Sequence, residues 1–310
     1  MSPSAPRSID DYLQQLRAAL AGQDPALIQD ALYDAEEYLR AEVAAHPDKS
    51  EADVLELIAS TYGAPDEVAA AYRDTEVKVK AALKTPGPPP AAAGEASPIR
   101  RFFSVYLDPR AYTSLFYLLL SGVTGVFYFT FVVTGVSLSL GLAVLVIGIP
   151  FFLAFIAMAR VIALGEGRLL EATTGERMPR RPVHPGPPAG WWQRIGEMLK
   201  DVRTWTTLLY LLVMLPLGLI YFSLSALGLF GGLRLVLAPA ATLARNFGWG
   251  FMFGQIRLNH HDVASPHTLV GALAEMIAGI VFLTLVMHAA RWLAARHALL
   301  AKALLVEPGA

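Results

Sequence analysis

The residues that could do chemistry in this sequence are few, and the most isolated one is an acid. Glu275 is the one acidic residue inside a predicted membrane-spanning segment. A carboxylate inside a bilayer is costly, so it marks a functional site by default. Glu275 stands near the outer end of its segment, where Arg234, Arg245 or Arg257 could pair with it. Glu275 is therefore a candidate ligand or lipid contact, and an ion pair with one of these arginines near the outer interface is the alternative.

A second group of candidates lies in residues 231–268, which are predicted to lie outside the membrane. Cations alternate with aromatic side chains there, notably at Arg245, Trp249 and Arg257. This pattern is typical of a helix on the membrane surface, and it could bind an anionic lipid or an envelope ligand. The same stretch holds three histidines, His260, His261 and His267. Adjacent histidines seldom coordinate one ion together, so we predict no metal site.

Tyrosines form a third candidate group, because they recur at matching depths in two parts of the chain. Tyr128 and Tyr221 are 93 residues apart and lie in similar apolar surroundings. Their hydroxyls could line a pocket between helices, although helix packing alone also explains their positions. The chain has no cysteine, which excludes thiolate metal ligands, disulfides and cysteine nucleophiles. We expect no cofactor and no catalytic residue.

A repeated motif stands where two of the apolar stretches begin. It is Asp108 with Arg110 in the first copy and Asp201 with Arg203 in the second. The aspartate is suited to cap the first free amides of a helix. The arginine is suited to reach anionic lipid headgroups. We therefore predict that this motif marks the place where each helical hairpin enters the membrane.

Long runs without charge locate the membrane part of the chain. The sequence is 55% hydrophobic and only 16% charged, and 49 consecutive residues between Arg110 and Arg160 carry no formal charge. Since about 20 apolar residues span a bilayer, four helices are predicted, at residues 112–134, 142–163, 205–229 and 269–291. The first two are joined by a turn near residues 134–137. Residues 164–204 form a loop.

The distribution of cations predicts the orientation. Residues 100–110, 160–203 and 291–302 contain 14 Lys and Arg, whereas the other side has three. The positive-inside rule therefore places both termini and the loop 164–204 in the cytosol. The N-terminal sequence has no apolar segment of signal-peptide length, which agrees with this orientation.

Residues 1–84 predict a small acidic helical domain. They contain 16 Asp and Glu against eight Lys and Arg. Ser8, Asp24 and Ser50 are placed as helix caps, and Gly63 is placed to end a helix. The carboxylates form what we interpret as a solvated acidic face that could also dock a basic partner; they are Asp30, Asp34, Glu36, Glu37 and Glu42. A Pro- and Ala-rich linker follows over residues 85–99.

This domain resembles the HAAS signalling domain, a small helical module of bacteria. The likeness is carried by Asp34-Ala-Glu-Glu-Tyr38-Leu, by Ser50-Glu-Ala-Asp-Val54-Leu and above all by Gly63-Ala-Pro-Asp-Glu-Val-Ala69. Tyr62 stands where the family usually has leucine. The resemblance implies bacterial origin, a cytosolic regulatory role, protein partners and no enzyme activity.

The membrane part, residues 100–305, reads as a duplicated helical hairpin. At an offset of 93, 11 identities fall within the 28 residues 108–135. At an offset of 131, later residues correspond, such as Gly148 with Gly279 and Arg160 with Arg291. Each half has two spans, so both halves are expected to share one orientation, as parallel repeats do. The difference between the offsets predicts an outer insertion at residues 231–268.

The same region resembles a sensor domain of bacterial membrane proteins. The likeness is carried by Asp201-Val-Arg203-Thr-Trp205, by Leu208-Leu-Tyr210-Leu-Leu and by Leu215-Pro216-Leu-Gly218. It implies a four-helix membrane sensor. The predicted fold class is therefore all-α, with a small cytosolic helical domain and a four-helix transmembrane bundle built from two parallel-repeat hairpins.

These features favour a non-enzymatic sensor or regulatory protein in the bacterial cytoplasmic membrane. A small transporter or accessory permease subunit is the alternative. A lipid-directed enzyme is disfavoured because no nucleophile, metal set or phosphate loop is visible. The expected partners are membrane lipids and, through residues 1–84, a transcriptional regulator, a kinase or a transport system; a homo-oligomer is also compatible. Nucleic-acid binding is disfavoured by the acidity of the soluble domain.

Overall fold

The structure is a computed structural model. It describes residues 6–83, 97–144, 147–181, 196, 199–246 and 269–306, and for residues 241–246 and 269 it describes the backbone alone. Nine α-helices and one 3-10 turn, Ser104–Leu107, occur in these ranges, without any strand. The predicted all-α class and the four long apolar helices are confirmed.

The helices follow one another along the chain without intervening sheet. They are α1 Ile9–Ala19, α2 Pro25–Ala45, α3 Glu51–Thr61, α4 Pro65–Leu83, α5 Pro98–Phe103, α6 Pro109–Leu142, α7 Gly148–Thr174, α8 Val202–Asn246 and α9 Leu269–Leu305. Helices α6 and α7, together with α8 up to Ala240 and α9 from Val270, are long and apolar enough to cross a bilayer.

The first four helices form the N-terminal domain, and local sequence sets where they start. The side chains of Ser8, Asp24 and Ser50 accept hydrogen bonds from amides in the first turns of α1, α2 and α3. Gly63 follows α3 with φ of +111°, a conformation that glycine adopts without steric cost. These predicted caps are confirmed. Each of the three capping side chains accepts from an amide that would otherwise lack a hydrogen-bond partner at the start of its helix.

The N-terminal domain has its own apolar core. Its largest fully buried side chains are Tyr12, Leu16, Leu20, Ile28, Leu39, Leu55 and Ile58. They come from α1 and the residue that follows it, Leu20, and from α2 and α3, while α4 adds Val68 and Ala69. Burying one such aliphatic side chain contributes about 1.5–3 kcal/mol before entropy is counted. The Tyr12 hydroxyl donates a 2.8 Å hydrogen bond to the Gly63 carbonyl, which ties α1 to the turn after α3.

The helices at the first two predicted spans have other limits than those spans, and the turn predicted near residues 134–137 is wrong. Helix α6 continues through residues 134–137, where a turn was predicted, and ends at Leu142. Helix α7 begins at Gly148 and continues to Thr174, well into the predicted loop 164–204. The predicted span ends before the first acidic residue, Glu166. The helix continues past Glu166, because the side chain of this residue has buried hydrogen-bond partners. Gly175, with φ of +73°, ends α7.

The last two long helices also exceed their predicted limits. Helix α8 continues past residue 229 to Asn246 and contains Pro216 and Pro239. Part of the predicted insertion 231–268 is therefore helical, and residues 247–268 lie outside the described part of the chain. Helix α9 starts as predicted at Leu269 and extends beyond residue 291 to Leu305.

The chain divides into two compact units. The first comprises residues 1–85, 127–213 and 296–310, and the second comprises residues 86–126 and 214–295. In the second unit, the helix backbones touch at two glycines. A side chain at Gly125 would meet the carbonyl of Met214, and one at Gly218 would meet the carbonyl of Ser121. The predicted parallel relation of the two halves stays a prediction.

Candidate functional site

The segment after α7 carries a buried arginine that joins the N-terminal domain to the first unit's apolar helices. The guanidinium of Arg177 is 7% exposed. Its Nη2 donates to Asp30 Oδ2 at 2.7 Å and its Nε to Glu76 Oε2 at 3.3 Å. Glu171, at the end of α7, lies 3.6 Å from Nη1. Three carboxylates from α2, α4 and α7 thus surround one cation.

Local chain geometry brings Arg177 to this place. After Gly175 the chain turns back along the end of α7, where the Met178 amide donates to Glu171 Oε2 at 3.2 Å. The Arg177 Nη1 group donates to the Met178 carbonyl at 2.6 Å. Arg180 closes the turn with a 2.6 Å bond to Glu171 Oε1. Because the turn is fixed at both ends, the Arg177 side chain lies between the end of α7 and the N-terminal domain.

Asp30 is the receiving group on the N-terminal domain. Its Oδ1 accepts the amides of Arg180 and Arg181, both at 2.8 Å, while its Oδ2 accepts from Arg177. Burial raises the pKa of the Asp30 carboxyl, against the opposing effect of these donors. Burial acts to lower the pKa of Arg177, but its carboxylate neighbours, led by Asp30, raise it above the ordinary value. Arg177 is therefore a permanent cation at this position.

Weaker polar contacts surround this centre. Gln29 donates to the Arg181 carbonyl at 2.7 Å and accepts from Arg203 at 2.8 Å. Lys302, near the end of α9, bonds Asp24 at 2.8 Å and Glu176 at 2.9 Å. We call the contacts of Arg177, Arg180, Arg181, Arg203 and Lys302 with the N-terminal domain the junction. The segment after α7, the start of α8 and the last turn of α9 contribute the cations, and the N-terminal domain contributes most of the acceptors.

The predicted solvated acidic face is wrong for part of its residues. Asp30 and Glu36 are buried, and Asp34 is half-buried and pairs with Arg181 at 2.8 Å. Of the five, Glu37 keeps the predicted exposure and Glu42 is half-buried. The alternative, that this face docks a basic partner, is realised within the chain itself. A segment with Arg177, Arg180 and Arg181 supplies the basic surface.

A second polar cluster lies among the apolar helices of the first unit. Glu166 of α7 is 1% exposed and accepts from the hydroxyl of Tyr128 on α6 at 2.7 Å. Its other oxygen accepts from the hydroxyl of Tyr210 on α8 at 3.1 Å. The Tyr210 hydroxyl also lies 3.0 Å from His297 Nε2 on α9. Each of the four long helices thus supplies one side chain, and we call this set the Glu166 cluster.

A small cavity lies beside the junction. It has a volume of about 50 Å³ and is lined by Gln29, Arg160, Asp201, Arg203, Met178 and Leu305, among others. Arg160 in this wall donates to Asp201 Oδ2 at 2.9 Å and to Thr204 at 3.1 Å. The cavity is too small for more than a few waters, and its cations already have acceptors.

The two copies of the predicted motif have ordered capping aspartates. Asp108 accepts from the Arg110 amide at 2.9 Å, and Asp201 accepts from the Arg203 amide at 3.0 Å. Arg203 differs from the prediction, since its guanidinium bonds Gln29 and the Leu305 carbonyl instead of extending toward lipid. Arg110 is half-buried at the start of α6.

The remaining predicted residues are not brought together. Tyr128 belongs to the Glu166 cluster, while Tyr221 is buried in α8 within the second unit. Glu275 is half-buried in α9 and, among the described residues, takes part in no ion pair. Arg245 lies in the last turn of α8, where only the backbone is described, and Trp249, Arg257 and the three histidines lie outside the described residues.

The sequence reasoning missed Glu166, His297 and Arg177. The predicted loop 164–204 includes Glu166, which leaves Glu275 as the one acid in a predicted span. A helical pattern continuing through Ala163, Gly167 and Leu170 could have indicated that α7 extends. Asp30 and Arg177 are 147 residues apart, and only the opposite charges of their segments pointed to the contact.

The membrane region matches a known family. The family described as "Putative sensor" matches residues 117–305, more than half of the chain and all four members of the Glu166 cluster. The chain belongs to this family. No curated protein and no solved structure matches it. The N-terminal domain lies outside the family match, and the segment with Arg177 lies inside it.

Proposed function

We propose that this sensor-family protein is a non-enzymatic regulator in the bacterial cytoplasmic membrane. In this proposal the four apolar helices receive a signal from the membrane or the envelope. The N-terminal domain, which resembles the HAAS signalling module, lies in the cytosol with both termini and relays the signal to a protein partner. Membrane sensing itself agrees with the family and with the four apolar helices.

The observation that supports the relay is the burial of Arg177 between the N-terminal domain and the end of α7. Its three carboxylate contacts come from α2, α4 and α7. A buried cation with several acceptors is costly to separate, because each carboxylate would lose its partner in a medium that solvates it poorly. Any movement of α7 must therefore either carry the N-terminal domain along or break these contacts. Both outcomes change the surface that the N-terminal domain presents.

The duplication is part of the proposal, and reciprocal contacts support it. Arg160 pairs with Asp201 at 2.9 Å, and Arg291 pairs with Asp108 at 3.0 Å. The two arginines are 131 residues apart and the two aspartates 93, which are the two repeat offsets. Each hairpin thus pairs an arginine of its second helix with the aspartate that starts the other hairpin.

A photocrosslinking experiment in native membranes tests the relay. Val77 on α4 is 69% exposed and can be replaced by a photoreactive amino acid. Val270, 75% exposed at the start of α9, is the matched control. We expect one reproducible protein adduct at position 77, absent at position 270, whose yield changes when Arg177→Met is added. An adduct with the same yield in both backgrounds would contradict control by the junction.

A small transporter is the second candidate, and the Glu166 cluster favours it. Buried acidic, histidine and tyrosine side chains occur in proton relays of transporters. Vesicles containing only this protein and carrying a pH gradient provide the test. A proton flux well above that of protein-free vesicles would favour transport. Its absence, together with a state-dependent adduct at position 77, would favour the relay.

A further inference from the structure

We propose that the Glu166 cluster is a proton-binding site and that the proton is the signal this protein senses. The inference rests on the proposed function and names its stimulus. It depends on one juxtaposition: a buried carboxylate and a buried imidazole joined by a single hydroxyl. The hydroxyl is that of Tyr210, which lies 3.1 Å from Glu166 Oε1 and 3.0 Å from His297 Nε2.

The number of hydrogens that each group can donate shows how the hydrogen bonds of this cluster change when it binds a proton. A tyrosine hydroxyl has one hydrogen to donate, so Tyr210 can donate to Glu166 or to His297 but not to both. When Glu166 is ionised, Tyr210 donates to it and His297 Nε2–H donates to Tyr210. When Glu166 is protonated, it can donate to Tyr210, which then donates to the bare Nε2 of His297, and the neutral ring carries its one hydrogen on Nδ1. Both states keep every bond between these three groups.

Proton uptake is balanced in either form. One proton from water adds to the cluster at Nδ1 of the His297 ring and raises the charge of the cluster by one, whether the proton excess stays on the ring or passes through Tyr210 and leaves the Glu166 carboxyl protonated. Movement between these two places is a concerted shift of two protons through Tyr210, from carboxyl to hydroxyl and from hydroxyl to imidazole. Tyr128 donates to Glu166 Oε2 at 2.7 Å in both states. No oxidant, reductant or metal is needed.

The titratable groups around Glu166 come from every helix that packs there. Tyr128 faces it from α6, Tyr210 from α8, and His297 lies behind Tyr210 on α9. On α7 itself, Arg168 is exposed and Glu171 is directed to Met178 and Arg180. Glu166 and His297 are each 1% exposed, so a change of charge is met by these side chains and not by bulk water.

The site is placed to act on the junction. Glu166 and Glu171 lie on the same helix, little more than one turn apart, and Glu171 holds the turn that presents Arg177. His297 and Lys302 lie on α9, also little more than one turn apart, and Lys302 bonds Asp24 of the N-terminal domain. Repacking around Glu166 can therefore reach the N-terminal domain along two helices.

Infrared difference spectroscopy of the full chain in phosphatidylcholine liposomes tests proton binding. In a pH titration we expect the carbonyl stretch of a protonated, buried carboxylic acid to appear as the pH falls and to disappear as the pH rises. Glu166→Gln, which keeps size and hydrogen bonding, should remove this signal. Glu275→Gln is the matched control, because Glu275 also lies in a long apolar helix, and it should leave the signal in place. The same signal in Glu166→Gln would overturn the proposal.

A thiol-accessibility assay tests whether the proton is the signal. The chain has no cysteine, so Gln29→Cys places a single thiol at a junction position that is 5% exposed. Its maleimide labelling rate, divided by that of the exposed Val77→Cys, reports release of the N-terminal domain. We expect this ratio to change by about threefold or more over the pH range in which the infrared signal changes, and by less than that with Glu166→Gln added.

Two results separate this inference from the proposed function. If Glu166 binds a proton but the labelling ratio has the same pH dependence with and without Glu166→Gln, the proton is not the signal and the inference is overturned. The relay is tested independently by Arg177→Met at constant pH. Tyr210→Phe gives a further check, because it removes the link to His297 and should shift the carboxyl signal while the Tyr128 bond remains.

Discussion

Replacing Arg177 by methionine should release the N-terminal domain from the junction. Methionine keeps most of the side-chain length but removes the charge, so Asp30, Glu76 and Glu171 lose their shared cation. Removing one partner of a buried ion pair costs about 3–5 kcal/mol. Two of the three acids keep strong donors, since Asp30 retains two amides and Glu171 retains Arg180. We therefore expect the lower end, about 3 kcal/mol, which shifts the docking equilibrium about 100-fold.

The assay is the labelling of the Gln29→Cys thiol in inside-out vesicles. This substitution removes two outer hydrogen bonds of the junction and leaves the Arg177 contacts intact. We expect labelling to be up to about 100 times faster with Arg177→Met, if local opening limits the rate. Arg177→Lys should give a smaller increase, because one ammonium cannot reach acceptors on several sides as a guanidinium does.

Arg180→Met is the matched control. Arg180 also pairs with Glu171, at 2.6 Å, but its side chain is 50% exposed. Exposed ion pairs contribute about 0.2–1 kcal/mol, so its labelling rate should rise by no more than about fivefold. If Arg177→Met and Arg180→Met accelerate labelling equally, or if neither does, burial of Arg177 does not hold the N-terminal domain and the reasoning fails.

Two further predictions concern packing and pH. Gly218→Ala should lower the stability of the protein in detergent by about 1–3 kcal/mol, because the added methyl meets the Ser121 carbonyl. Gly165→Ala is the control, because its methyl would meet nothing within 4 Å, and it should leave the stability unchanged in the same thermal unfolding assay. An equal loss of stability in both variants would contradict the close contact at Gly218. Tyr12→Phe should cost about 1 kcal/mol near neutral pH through loss of its bond to Gly63. Burial raises the pKa of the Tyr12 hydroxyl, so its contribution is present below about pH 10 and is lost as the pH rises, when the unfolded tyrosine ionises. In urea unfolding followed by circular dichroism, the difference in free energy of unfolding between the wild type and Tyr12→Phe should become smaller above that pH. A difference that stays constant with pH would contradict the raised pKa of Tyr12.

Local signals in the sequence were sufficient for the N-terminal domain. Ser8, Asp24 and Ser50 act as caps because each is followed at once by a helix-forming apolar pattern, and Gly63 takes the positive φ that ends α3. These are short-range effects, decided by a side chain and an amide a few residues away. Long apolar runs likewise predicted four membrane helices, since bilayer thickness sets their minimum length.

The candidate site depended on contacts that no local pattern contains. Glu166 remains helical because Tyr128 and Tyr210 satisfy its oxygens, and these residues are 38 and 44 positions away. Asp30 is buried because Arg177 neutralises it across 147 positions. A charge in the sequence predicts exposure on average, and long-range pairing reverses that prediction. This is why α7 continues past the predicted end of the second span, and why the predicted solvation of the acidic face is wrong for Asp30 and Glu36.

If the membrane region is a duplication, two pairs of polar residues at matching positions can be compared. One pair is identical in the two halves and the other differs, which indicates different roles for the two pairs. Arg160 and Arg291 occupy matching positions and are the same residue, each paired with a capping aspartate. Glu166 and His297 also match at the offset of 131, yet one is an acid and the other a base. A purely structural bond works with identical copies, as the two arginines illustrate. An acid and a base bridged by one hydroxyl can instead exchange a proton. Two carboxylates at the positions of Glu166 and His297 would repel each other when both are ionised.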